Sequence, residues 1–189
     1  MNHPFSSIPT SRRGKLLLPL VLFTLAMSVV MQVVGAPLKT GDAPSGIVTF
    51  ELAGNVQETA RVLASWDEDA HLRAAFIQGL DFLYLFVYSF TIGLGCIWAS
   101  GVLKMRQWPL ASLGVPLAWG LWLAAFLDAI ENVALVIILF GMLASPWPEI
   151  ARWCALLKFA LIGLGILYVV YGILAGLIMS SPKKDSATF

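Results

Sequence analysis

The chain has 189 residues, 59% of them hydrophobic and 12% charged, against about 45–50% apolar and about 25% charged in ordinary soluble domains. With a mean hydropathy of +0.83, that balance excludes a water-soluble globule and implies a chain solvated by lipid. Net charge is +1, from 12 basic and 11 acidic residues, so the basic footprint of a nucleic-acid binder is missing. The two histidines, His3 and His71, lie outside the apolar runs, which argues against a haem between membrane helices and against a buried zinc site. Cys96 and Cys154 stand singly in apolar sequence, without a CxxC pair, and read as small buried hydrophobes. No metal or cofactor is expected, and no complete catalytic motif is present.

Apolar runs near the length a bilayer requires occur at 16–36, 74–100, 110–143 and 153–179. The expected fold is all-α: a four-helix transmembrane bundle forming a single integral membrane domain, in contact with the lipid bilayer. The first run has a basic start and a small-residue end at Val34, Gly35 and Ala36, yet it exceeds the roughly 7–15 apolar residues of a cleavable leader. It reads as an uncleaved anchor, and its stripe of Thr24, Ser28, Gln32 and Gly35 suits packing against other helices. The third run is long for one crossing and holds Pro109 and Pro116. Either a kink near 112–116 or an interfacial start followed by a tilted span is expected.

Lys and Arg placement sets the expected orientation, because short cytoplasmic loops carry their excess. Arg12, Arg13 and Lys15 precede the first span, Lys104 and Arg106 separate the second from the third, and Lys183 and Lys184 follow the fourth. Both termini are therefore expected in the cytoplasm, with the chain in a plasma (inner) membrane. The segments 37–73 and 145–151 then face outward, the first rich in acids such as Asp42, Glu51, Glu58 and Asp67. Trp66, Trp147 and Trp153 fall at the outer boundary and Trp98 and Trp108 at the inner one, where amphipathic rings prefer to sit.

The outer segment 37–73 is too short for an independent core. Its Pro37, Gly41, Pro44 and Gly46 mark an irregular lead into the apolar stretch 47–52, which contains Glu51. The sequence Asn55, Val56, Gln57, Glu58 has the spacing of a capping box, and Val56, Ala60, Leu63 and Trp66 share a helical face. A short amphipathic helix over 56–66, lying on the outer surface like a lid, is predicted.

Ionisable groups inside spans are expensive and usually face the bundle interior. Here they are Asp81, Asp128, Glu131 and Lys158. Counted at 1.5 Å per residue from the outer ends of the runs, Asp81 and Lys158 lie about 10 Å deep and Asp128 and Glu131 about 20 Å deep. Asp128, Glu131 and Asn132 form one patch on the third span, while Asp81, Tyr84, Tyr88 and Thr91 form a stripe on the second. Lys158 shares its face with Gly165, Gly172 and Gly176, small residues that admit a close neighbour. With all four groups ionised, two negative charges would stand uncompensated in low dielectric. A protonated acid, a proton relay, a bound cation or a polar headgroup would each restore the balance. The expected site is an acidic pocket opening outward, binding a small polar or amphiphilic ligand or a cation. The alternatives are a structural or partner-binding subunit whose charges hold the bundle together, and an intramembrane acid–base enzyme. A carrier built from four helices would call for a homo-oligomer, with Gly172 and Gly176 as the candidate interface.

The stretch Gly46 to Ala53, Trp66, the run Leu80 to Tyr84 with Tyr88, and Asp128, Ala129, Ile130, Glu131, Asn132 resemble a family of uncharacterised bacterial four-span inner-membrane proteins. The resemblance runs from the first span to Lys158 and carries no activity with it. It implies Glu51, Trp66, Asp81, Asp128, Glu131, Asn132 and Lys158 as shared positions, so Glu51 and Trp66 join the candidate ligand-binding residues.

Overall fold

The computed structural model describes residues 3–178 and is helical throughout, with no strand among the described residues. Six α-helices follow in chain order: α1 (Thr10–Val34), α2 (Ile47–Glu51), α3 (Val56–Ala64), α4 (Glu68–Met105), α5 (Gly114–Leu139) and α6 (Trp147–Ile178). Among the described residues four helices, α1, α4, α5 and α6, are long and apolar enough to cross a membrane. This is a four-helix transmembrane bundle with a short helical cap. The predicted end of the fourth span at Met179, and the basic pair Lys183 and Lys184, lie outside the described residues.

Local chemistry sets the helix ends. Asp67 caps α4, its Oδ1 accepting the Ala70 N–H at 2.8 Å, so α4 starts at Glu68 and runs through the polar residues ahead of the apolar run. The third span begins with a 3-10 turn over Ala111–Leu113 and becomes α-helical at Gly114, which places Pro116 in its first turn. Proline is tolerated there because the first-turn N–H groups have no intrahelical acceptor. The α-helix therefore begins just ahead of Pro116 and is not broken by it.

The other end of α5 corrects the predicted boundary at 143. Gly141 takes φ 92; its N–H bonds Ile138 O at 2.9 Å, and the Met142 N–H bonds Ile137 O at 3.2 Å. That pattern terminates a helix on a left-handed glycine. Residues 140–143 are apolar but belong to the connection, since hydropathy does not register the backbone turn that Gly141 permits.

Helices α4, α5 and α6 pack on one another, and α1 lies against α4. On α6 the buried face carries Lys158, Gly165 and Gly172, as the small-residue stripe predicts. A Cβ built on Gly172 would lie 2.4 Å from the Ala99 Cβ, so the α4 and α6 backbones meet at that level. Gly172 is thus used inside the chain, against α4. Among its described residues α1 buries only Met27. Its predicted polar stripe does meet α4: the Thr24 and Thr91 hydroxyls pair at 2.9 Å, and Ser28 pairs with the Tyr84 hydroxyl at 2.7 Å.

The cap is built on α2 and α3. Asn55 Oδ1 accepts the Glu58 N–H at 2.8 Å, the backbone half of the predicted capping box, and α3 ends at Ala64, short of the predicted 66. Its buried face is Thr59 and Val62, continued by Trp66, whereas Val56 and Ala60 are exposed. The predicted face was rotated because Val62 is drawn into an apolar cluster with Leu38, Ala43 and Phe50. The apolar side of an isolated helix does not encode that neighbour.

Candidate functional site

The charged side chains converge where α2 meets α4, α5 and α6. Lys158 Nζ lies 2.7 Å from Asp128 Oδ1 and 2.9 Å from Glu131 Oε1, and the three side chains are nearly inaccessible. The i, i+3 spacing of the two acids lets one ammonium bridge both. Tyr88 donates its hydroxyl to Asp128 Oδ2 at 2.9 Å, and Asn132 Nδ2 donates to Asp81 Oδ2 at 2.9 Å. A chain of polar contacts therefore links α4, α5 and α6 through the bundle interior.

The bonds of Lys158 to Asp128 and Glu131 and of Asn132 to Asp81 bring the four groups to one level of the bundle, where separate tiers were expected.

Glu51 completes the group from outside the spans. Its side chain is 8% exposed, and Oε2 stands 4.0 Å from Lys158 Nζ, within electrostatic reach but beyond hydrogen-bonding distance. That oxygen has no hydrogen-bond partner among the described residues, and neither has Glu131 Oε2 or Asn132 Oδ1. Burial pushes the Glu51 carboxyl up from 4.5 to about 7; the Lys158 ammonium works against the rise, and Asp81 and Asp128 reinforce it. The unfolded chain thus loses this proton first as pH rises. Glu51 accordingly contributes a stability that declines between pH 4.5 and about 7 and is flat above, a total on the order of 3 kcal/mol. Glu51→Gln is expected to remove that share of the decline when unfolding midpoints are followed across the interval. An identical slope in the variant would overturn this assignment.

The cluster is not sealed. A cavity of about 620 Å³ lies between α1, α4 and α6, and Glu51, Asp81, Asp128 and Lys158 are on its wall. Tyr84 and Tyr88 line it as well, their ring centroids 5.5 Å apart. Thr24, Ser28 and Thr91 supply hydroxyls on the α1 side. Ile47, Val48 and Glu51 of α2 lie across its capped end, with Phe50 beside them 1% exposed. The expected pocket lies beneath a lid-like outer segment; here α2 lies across the capped end of the cavity, and α1 and α6 flank it.

Of the nine predicted site residues, the structure gathers Glu51, Asp81, Tyr88, Asp128, Glu131, Asn132 and Lys158 into one polar group and sets Tyr84 on the adjoining wall. Trp66 is not among them. Its indole donates to Leu38 O at 2.9 Å and meets Phe50 edge-on, with ring centroids 5.4 Å apart, so it fastens the cap. Sequence reasoning missed Gln78, which is fully buried with neither amide atom bonded among the described residues. The signal was available, since Gln78 precedes Asp81 by one helical turn. Among the described residues no three His, Cys, Asp or Glu side chains are arranged to hold a metal ion. Comparison with known proteins finds no matching family model, no matching curated protein and no matching solved structure.

Proposed function

We propose that this chain is a ligand-binding inner-membrane protein of the four-span bacterial kind it resembles, taking a small polar or amphiphilic molecule or a cation into the cavity between α1, α4 and α6. One observation carries the reading: the acid–lysine group borders a cavity of about 620 Å³, within the range of about 300–1,000 Å³ of small-molecule sites. Here Glu51 Oε2 is unbonded among the described residues and its side chain lines the cavity. Glu51, Asp81, Asp128 and Glu131 surround a single ammonium, so neutrality is reached with protons or with a positive group on the ligand. In this reading Asp81 and Glu51 meet the ligand, Tyr84 and Tyr88 flank it, and Lys158 holds Asp128 and Glu131 in place.

The same proposal puts the start of α1 and the end of α6 on the cytoplasmic side. Arg13 and Lys15 adjoin Val102 and Met105 at the end of the bundle opposite the cap, and Lys104 follows there, so the basic residues gather on one side as the positive-inside rule requires.

The competing reading, a structural or partner-binding subunit, draws on the 2.7 and 2.9 Å bonds of Lys158. Methylammonium separates the two. Binding at the cluster is expected to raise the unfolding midpoint saturably, by about 2.7 kcal/mol of added stability at a hundredfold excess over Kd, and Asp81→Asn is expected to weaken the response. A midpoint that does not respond to methylammonium in wild type would favour the structural reading.

A further inference from the structure

The cluster cavity continues into a second one. A space of about 410 Å³ extends away from the cap between the same helices, and the two share Val21, Thr91, Ile92 and Ile166 on their walls. Together they make one crevice, floored by α4 and flanked by α1 and α6. From Asp81 to Trp98 it follows α4 for about 25 Å, most of the roughly 30 Å thickness of a hydrocarbon core. The half near the cap carries the carboxylates, hydroxyls and Lys158; the far half is walled by aliphatic side chains such as Leu17, Leu18, Val170 and Ile173. Val170 is 44% exposed and Ile173 42%, so the crevice opens along its flank.

An apolar furrow on a membrane protein says little by itself, since lipid tails cover any such surface. Its polar end supplies the discrimination. Helix α2 lies across the cap end, and the flank exposed at Val170 and Ile173 gives a molecule already dissolved in lipid a direct way in. To bring its head from the interface to a buried site, that molecule must gain there what it gives up in hydration. The groups it would meet are carboxylates in excess of ammonium: Glu51, Asp81 and Asp128 share the wall with Lys158, and Glu51 Oε2, buried behind it, has no hydrogen-bond partner among the described residues. Resting on the ligand-binding reading above, we infer that the occupant is a long-chain amine: an amphiphile whose ammonium head sits between Glu51 and Asp81 and whose apolar tail lies along α4 toward Trp98.

The test uses the full chain in phosphatidylcholine nanodiscs, with oleylamine, oleyl alcohol, oleate and methylammonium as probes and the shift of the unfolding midpoint as readout. Oleylamine is expected to act saturably at a concentration at least about tenfold below methylammonium, while oleyl alcohol and oleate give no saturable shift. Val170→Trp and Ile173→Trp fill the tail half from its exposed edge. Each is expected to weaken oleylamine by about tenfold and to leave the methylammonium response intact, which also reports that the variant is folded. Leu167→Trp, on an exposed position lining neither cavity, leaves both responses unchanged. Glu51→Gln weakens both amines. If oleylamine is unaffected by either tryptophan in the groove, or binds no better than methylammonium, the tail site is wrong and the polar site stands. If oleyl alcohol or oleate matches oleylamine, the amine head is wrong. If neither amine shifts the midpoint, the ligand-binding reading fails together with this one.

Discussion

Lys158→Met is expected to lower the unfolding free energy by about 3–5 kcal/mol at neutral pH, the range seen when one partner of a buried ion pair is removed. The size follows from what the ammonium holds: Asp128 at 2.7 Å and Glu131 at 2.9 Å, with Glu51 4.0 Å away, all buried. Methionine keeps much of the volume and the flexible stem but supplies neither charge nor donor. The deficit is expected to narrow in acid, where Glu51 beside the vacated position is protonated and carries no charge. Midpoints of wild type and variant measured from neutral to acid pH check both statements. A deficit below about 1 kcal/mol at neutral pH, in the range of exposed pairs, would mean that water or counterions already screen the cluster.

The second large effect concerns the crossing of α6 and α4. Gly172→Leu drives side-chain atoms into a gap where even a Cβ would stand 2.4 Å from the Ala99 Cβ and 2.9 Å from its Cα. Overpacking of this kind typically costs about 1–3 kcal/mol, occasionally more. Because the obstruction includes backbone, rotamer changes do not relieve it and the helices must separate. Separation reaches the cluster, since Lys158 and Asp81 ride on these same two helices. Ala99→Gly in the background of Gly172→Ala opens space on the opposing helix and is expected to recover part of the loss, giving a favourable coupling in a double-mutant cycle. Additive losses would show that the two residues do not meet.

The spans were legible because hydropathy over some twenty residues is a property of the segment alone. The first turn of α3 was equally local: Asn55 and Glu58 carry the signal within four residues. What depended on distant parts of the chain was misread. The exposed Val56 and the buried Thr59 differ because of where Phe50 and Leu38 lie, and the end of α5 turned on Gly141 in the middle of an apolar stretch. For the site, the ionisable groups announced themselves by their cost in lipid, and the spacing of Asp128 and Glu131 indicated a shared partner. The sequence pattern did not reveal that α2, a single turn and a half of helix, would carry Glu51 to Lys158. Nor did it reveal that the cavity would lie between α1 and α6, since that depends on how far apart two helices stand on the surface of a third.

The position of α1 bears on the order in which the molecule is assembled. Helices α4, α5 and α6 pack together and carry all of the charge cluster except Glu51, whereas α1 is laid on the outside of α4 through side chains such as Met27, Thr24 and Ser28. Made before α4, α1 has no partner surface until α4 follows, and its apolar, largely unburied run is compatible with lipid on its own, because a helix satisfies its backbone internally. Because α1 contributes a wall to the crevice and no member to the charge cluster, the cluster does not need α1 in order to form, whereas the crevice does.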